Sequence, residues 1–346
     1  MRQQAKYALK WIVAQTLYRT GVLHACLHLR HRRRAIVLTY HRVLPEPLLD
    51  ETWSHPAIIV TRPTFARQLT WLRRVFHVLS AADFISHMEL GKPFRGPACL
   101  ITFDDGWQDT FSEAGPLLKQ YALPSIVFLP IDFIGSTIMF WQEHLGRLLY
   151  RVWDRGRREP DLRARAEALL PAELREALGV EESRVRVVIR EAVNRLKAHH
   201  SADPRELVEN LRALLGIEHD ASVDRFMDWD QVRSMAADGA TFGGHSASHR
   251  IMTTLSADEI ASEVRTCREA LQRELGKPPL TFSYPNGDWN EAASRSVREA
   301  GFRVSFATGR GSVSVGDDRF SIRRINVHED TTSSLPMFMA KIVGVF

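Results

Sequence analysis

Cysteine is scarce in this chain: Cys26, Cys99 and Cys267 are the only three in 346 residues. They are far apart, odd in number and without a C-x-x-C spacing, which argues against both a disulfide framework and thiolate metal ligation. Acidic residues are missing altogether before Glu46, whereas Arg2, Lys6, Lys10, Arg19, Arg30, Arg32, Arg33, Arg34 and Arg42 precede it. The stretch before Glu46 therefore carries +9, and the rest of the chain −4, of a formal total of +5. Long apolar runs are absent as well. Trp11 to Tyr18 and Gly21 to Leu27 are interrupted by Arg19, His24 and His28, which argues against a membrane-spanning helix. No small-residue cleavage site follows a short apolar core, so no signal peptide is expected. Internal repeats and low-complexity linkers are also lacking.

A basic helix carrying Trp11, Leu17 and Tyr18 suits peripheral contact with an anionic membrane. It equally suits a helix packed on its own barrel with a solvated basic side. The expected location is cytoplasmic, or peripheral at the inner membrane face. Nucleic acid is not an expected partner, because no recognition motif accompanies the basic arm.

What the chain does contain is alternation. Ala35–Tyr40, Ala98–Phe103 and Ser125–Pro130 read as buried strands, and helical spacing of Phe65, Leu69, Leu72 and Phe76 falls between the first two. From about 140 to about 225 the pattern becomes charged and leucine-rich, broken at Pro171, Gly179 and Pro204, as expected of an insertion of short packed helices. Strands resume at Ala240–Phe242, Leu280–Gly287 (a strand ending in a turn), Phe302–Phe306 and Phe320–Val327, with an amphipathic helix from Ala257 to Leu275. Such alternation predicts an α/β fold with a parallel sheet or barrel. The expected domains are a basic amphipathic arm over 1–34 and a barrel over 35–346 holding the insertion.

Thr102-Phe103-Asp104-Asp105-Gly106 places two carboxylates at a strand's C-terminal end, where ligands bind in parallel α/β folds. Neighbouring side chains point to opposite sides, so one aspartate can bind a metal while the other handles a proton. Asp-Asp-Gly alone is an ordinary turn. Gly244-His245-Ser246-Ala247-Ser248-His249 changes that reading. Histidines four apart share a face if the segment is helical, and with one carboxylate they make three ligands and leave a position open for water.

TFDDG followed by HSASH resembles the first two motifs of the polysaccharide deacetylases, carbohydrate esterase family four, the NodB homology domain. The resemblance covers roughly 35–135 and 229–330. It implies a distorted (β/α) barrel, one divalent metal on Asp105, His245 and His249, and Asp104 as the base. Zinc is the first choice of metal, with nickel, cobalt or manganese as alternatives. The family's general acid is a histidine. Leu38-Thr39-Tyr40-His41-Arg42-Val43 looks like the Y-H-R-V signature of the circularly permuted biofilm poly-N-acetylglucosamine deacetylases, which makes His41 the expected acid. A closed barrel lets first and last strands be neighbours. Ile325-Asn326-Val327-His328 loosely resembles the ordinary late L-x-H motif and makes His328 the alternative. Phe282 to Gly287 matches the third motif except that Ser283 stands where the family usually has the arginine that orients the base. Tyr284, Asn286, Asp288 and Trp289 are the expected substrate-binding residues, with backbone near Asn286 as an oxyanion donor and Asp288 or Trp289 as an orienter of the base.

The resemblance implies a hydrolase that removes the N-acetyl group from an amino sugar in a polysaccharide or a lipid-linked glycan precursor, using a metal-activated water. Alternatives are a deformylase of a polyprenyl-linked amino sugar, or a catalytically silent scaffold that binds glycan or membrane.

Overall fold

Apolar on both faces, Ala35–Tyr40 and Ala98–Phe103 belong inside a sheet that is covered on both sides. In the computed structural model, which describes residues 2–199, 204–217 and 223–346, all twelve of these residues are buried. The chain opens with helices α1 (Arg2–Arg19) and α2 (Val22–His31). Next come β1 (Ala35–Tyr40), β2 (Arg42–Leu44), β3 (Ile59–Thr61), α3 (Arg62–Val75), β4 (His77–Val78), α4 (Ala81–Leu90), β5 (Ala98–Phe103), α5 (Gly115–Tyr121) and β6 (Ile126–Leu129). Helices α6 (Trp141–Gly156), α7 (Pro160–Leu169), α8 (Ala172–Ala177), α9 (Glu182–His199) and α10 (Pro204–Leu215) follow. The last part holds α11 (Trp229–Ala237), β7 (Thr241–Gly244), α12 (Ala257–Leu275), β8 (Thr281–Ser283), α13 (Glu291–Glu299), β9 (Val304–Thr308), β10 (Ile322–Asn326), α14 (Glu329–Thr332) and α15 (Leu335–Ile342).

Strands β1, β10, β9, β8, β7, β6 and β5 pair in that order, all in parallel, and β5 pairs back onto β1. The result is a closed seven-strand barrel, and β4 adds to the first residues of β5 outside the ring. The expected distorted (β/α) barrel is thus the observed one, and β1 does lie beside the late strand β10, with Leu38 opposite Ile325. Val37, Leu100, Phe128, Val304, Phe306 and Ile322 share one apolar cluster with Phe84 and Phe94.

Two compact units make up the chain. The barrel unit comprises 1–46, 56–136 and 226–346, and the second comprises 47–55 and 137–225. The second unit, taken by itself, is a helical core around Leu145, Leu149, Val152, Ile189 and Leu211. Buried Asp224 accepts hydrogen bonds from Thr52 Oγ1 at 2.6 Å and Trp53 N at 2.9 Å, which ties residues 47–55 into this unit. Residues 200–203 and 218–222 of the expected insertion lie outside the described residues.

The basic arm is not a loose tail. Helices α1 and α2 pack on α15 with Ala14, Leu23, Leu27 and His31 buried, and the Arg30 guanidinium donates to the Val343 carbonyl. Burial, reinforced by Arg30 and Arg34, pushes His31 from 6.5 down to about 4 against an opposing Ile342 backbone interaction. The unfolded chain therefore binds a proton that the folded chain refuses. Stability should fall as pH drops from 6.5 toward 4, by about 3 kcal/mol in all, and be unaffected by this group above 6.5. Unfolding midpoints measured across that window should show a flatter profile for His31→Leu than for the parent; parallel profiles would mean that His31 is not the group responsible.

Candidate active site

β1 and β5 run in register with Tyr40 opposite Phe103, and Asp104 N donates to the Tyr40 carbonyl at 3.0 Å. His41 and Asp104 therefore leave adjacent strands at the same level. From the same end of the barrel β7 delivers His245, β8 ends on Ser283, and β10 carries Arg324. His41, Asp104, His245 and Ser283 come from C-terminal strand ends, where parallel barrels place their chemistry, and Arg324 reaches them from the middle of β10.

Asp105 makes the turn after β5 with φ 74°, followed by Gly106 at φ 68°. A side chain at Gly106 would put its Cβ 2.5 Å from Leu129 Cδ2 and 3.0 Å from Ile134 Cδ1, so only glycine fits there. The turn aims Asp105 Oδ1 at two imidazoles, 3.4 Å from His245 Nε2 and 3.3 Å from His249 Nε2. Its other oxygen accepts from Trp107 Nε1 at 3.0 Å. Trp107 is itself held: the Arg42 guanidinium lies 4.3 Å from its ring centre, Phe226 stacks on it at 4.5 Å, and Asp109 accepts from Arg42 at 2.9 Å.

The two histidines do not reach the carboxylate from one face of a helix, contrary to the expectation from their spacing. Residues 245–249 form an irregular turn after β7, with Ser246 at φ 62° and His249 at φ 58°. Left-handed backbone at such residues costs on the order of 1–3 kcal/mol each and needs support. Glu263 on α12 supplies it by accepting from Ala247 N and Ser248 N, both at 2.8 Å, and from the Ser248 hydroxyl. His249 N also donates to Ser246 Oγ at 2.9 Å.

The donor set fits a divalent cation. One ligand atom each from Asp105, His245 and His249 lies within 4.8 Å of the others. His245 Nδ1 is 2.7 Å from the Ser283 carbonyl, which can only accept, so the proton sits on Nδ1 and Nε2 is turned toward Asp105. Burial presses the His245 pKa down, but Asp104 and Asp105 outweigh it and hold the group above its ordinary value. Asp105 feels burial in the opposite sense, and hydrogen bonds from both histidines take it well below the usual carboxylate range. A nitrogen-nitrogen-oxygen set of this kind, with the outer oxygen of Asp105 and the outer nitrogen of His245 tied down, is suited to zinc and its neighbours.

Asp104 is gripped by Arg324. Two parallel hydrogen bonds join them at 2.7 and 2.6 Å, and both side chains are buried. Arg324 also donates to Ser283 Oγ at 2.8 Å and Thr102 Oγ1 at 3.2 Å. Burial alone would raise Asp104, yet Arg324 first, with His245 and His41, leaves its pKa below the ordinary value. The arginine that the third motif lacks at Ser283 is thus supplied by β10, and Ser283 serves as one of its acceptors. Arg324 and not Asp288 or Trp289 orients the carboxylate, which corrects the expectation from sequence.

His41 Nε2 lies 3.9 Å from Asp104 Oδ2, and His245 Nε2 lies 4.0 Å from the same oxygen. Burial lowers the His41 pKa, although Asp105 and Asp104 pull it back up. His328 begins α14, with Nε2 3.0 Å from Thr331 Oγ1 and its carbonyl accepting from Thr332 Oγ1 at 2.7 Å.

Among the expected substrate residues, Tyr284 is fully buried and donates to the Phe320 carbonyl at 3.0 Å. Its side chain is an internal anchor and is not presented to a substrate, which corrects that expectation. Asn286, at φ 59°, donates to Asp288 Oδ2 at 2.6 Å. Trp289 is 39% exposed and lies nearly parallel to Tyr284. Arg324, Trp107 and Glu263 were not singled out from sequence as site residues. Only Trp107 had a local signal, since it directly follows the aspartate motif.

A closed parallel barrel whose strand ends converge on a carboxylate held by arginine, beside a three-ligand set that could hold a cation, has the parts that metal-assisted hydrolysis uses. The polysaccharide deacetylase family profile matches residues 196–305, a span that includes His245 and His249. A 114-residue stretch is 33% identical to the poly-beta-1,6-N-acetyl-D-glucosamine N-deacetylase of Staphylococcus epidermidis, covering 31% of this chain and 39% of that protein. The fold is shared with IcaB from Ammonifex degensii, at 18% identity and TM-score 0.57 over 89% of this chain and 97% of that one. It is shared too with the Streptococcus pyogenes deacetylase PplD, at 15% identity and TM-score 0.56 over 89% and 98% of the two chains. Residues 196–305 thus resemble the polysaccharide deacetylases, and the chain spans well under half the length of the staphylococcal relative it matches.

Proposed function

We propose that the chain hydrolyses the N-acetyl group of an amino sugar within a glycan, in a metal-dependent reaction. The observation that carries this reading is the convergence on Asp104 Oδ2, which lies 3.9 Å from His41 and 4.0 Å from His245 while Arg324 holds it at 2.6 Å. A divalent cation on Asp105, His245 and His249 would polarise the acetyl carbonyl and acidify a water. Asp104, kept ionised by Arg324, accepts the proton that the water gives up. His41, on the neighbouring strand, returns a proton to the departing amine. Exposed Trp289 offers a flat face on which a sugar ring can stack. The naming of the staphylococcal relative supports poly-β-1,6-N-acetylglucosamine as the polymer to try first, with lipid-linked amino sugars beside it.

Acetate release from N-acetylglucosamine oligomers and lipid-linked N-acetyl sugars, with and without chelator, tests the reading. Activity should vanish with chelator and return with added zinc, nickel, cobalt or manganese. His249→Ala should lose bound metal and turnover together. A His249→Ala protein that keeps a full complement of metal would sink the ligand set, and chelator-resistant acetate release would sink the metal dependence.

A further inference from the structure

Exposed apolar side chains are not spread evenly over this protein. Among the described residues thirteen large ones are exposed, and six of these, Tyr7, Leu9, Trp11, Ile12, Val22 and Leu29, lie in α1 and α2. Leu9 and Ile12 are one turn apart, and at 63% and 55% exposure they form an apolar strip on α1. Leu29 on α2 is 80% exposed. The opposite side of the helix pair is already used, since Ala14, Leu23 and Leu27 are buried in the barrel unit. The C-terminal end adds to the outer side: Val345 is 38% exposed, and the Lys10 ammonium lies 5.3 Å from the centre of the Phe346 ring.

The charges around this strip have one sign. Lys6, Lys10, Arg19, Arg32, Arg33 and Arg34 are exposed, and no carboxylate occurs in the chain before Glu46. We propose that the outer face of α1 and α2, with Leu9, Ile12 and Leu29 as its apolar contacts, docks on an anionic lipid surface while the inner face stays clamped to α15. Exposed apolar side chains flanked by lysine and arginine sink to the headgroup boundary, and each basic residue adds attraction to anionic lipid. No helix among the described residues is long and apolar enough to cross a membrane, so the contact is in-plane. A second copy of the chain is a poor occupant, because pairing this face with itself sets two arms of +8 against each other. The proposal rests on the arm alone and does not depend on the chemistry at the barrel mouth.

The arm's burial decides the form of the test. Deleting residues 1–34 would strip both arm helices from α15, so surface substitutions in the full chain are the right probe. Full-length protein should co-sediment with phosphatidylglycerol-containing vesicles and much less with pure phosphatidylcholine, and added salt should release it. Lys6→Gln with Arg19→Gln should weaken partition by about fivefold for each charge removed. Leu9→Asn with Ile12→Asn should weaken it at least tenfold at unchanged charge, with an unchanged melting profile. Equal sedimentation of the Leu9/Ile12 variant and the parent would overturn the proposal. So would a parent that stays in solution with both vesicle types, or a stable dimer in light scattering that the same variant breaks, since a second copy would then be the occupant.

Discussion

Arg324→Met should remove most turnover and cost roughly 3–5 kcal/mol of folding stability, the usual penalty for stranding one member of a buried ion pair. Arg324 makes both of the short bonds to Asp104, at 2.7 and 2.6 Å, inside a site where both side chains are buried. Without the guanidinium, burial acts on Asp104 unopposed by its main partner, and the carboxyl pKa rises. A neutral carboxylic acid cannot accept a proton from water, so kcat collapses along with stability. The pair's stabilising contribution has a definite pH sign. It is full above the unfolded carboxylate's value of about 3.9 and is lost as pH falls through the lower folded value. Arg324→Lys should be intermediate, because it restores the charge without the planar fork that engages both oxygens. Acetate release and urea unfolding midpoints on the same preparations measure the two effects. Parent-like turnover in Arg324→Met would show that Asp104 needs no arginine.

His41→Ala should lower kcat by about 10²- to 10⁴-fold with little change in KM, since protonating the departing amine is a transition-state task. Its imidazole lies 3.9 Å from Asp104, on the strand that closes the barrel against β5. Metal content should hold, because His41 lies outside the cluster of Asp105, His245 and His249. An aryl acetate ester, whose phenolate leaves without a proton, should be spared relative to the amide. His328→Ala should behave like the parent, given that its ring is engaged with Thr331 at 3.0 Å and it starts a short helix. The opposite pattern, with the amide defect in His328→Ala and none in His41→Ala, would transfer the acid to the late strand.

Much of this architecture could be read from local patterns. Continuous apolar runs ending in polar residues marked β1 and β5, because a strand buried on both faces needs no alternation and must shed its carboxylates at the end. The 3.6-residue period gave α12 from Ala257 to Leu275 to the residue. Residue types and spacing point to His245, His249 and one carboxylate, and the resemblance selects Asp105, even though the histidine pair does not lie on a helix. Ser246 and His249 instead take left-handed backbone, which a distant glutamate on α12 stabilises. Tyr284 is illegible for a related reason: a tyrosine in a motif looks the same whether its hydroxyl meets a sugar or the Phe320 carbonyl.

Arg324 marks the boundary between the two kinds of information. Sequence places Arg323 and Arg324 side by side in one strand, and strand geometry dictates that they face opposite ways. Which one turns inward depends on the register of β10 against β1 and β9, where Leu38 meets Ile325 and Ile322 meets Phe306. With that register Arg323 is exposed and Arg324 is sealed inside against Asp104, Ser283 and Thr102. The residue types and strand ends that supply the chemistry were written in the chain itself. The partner of Asp104 was decided by barrel closure, because register is a property of paired strands and a one-residue slip would exchange the two arginines.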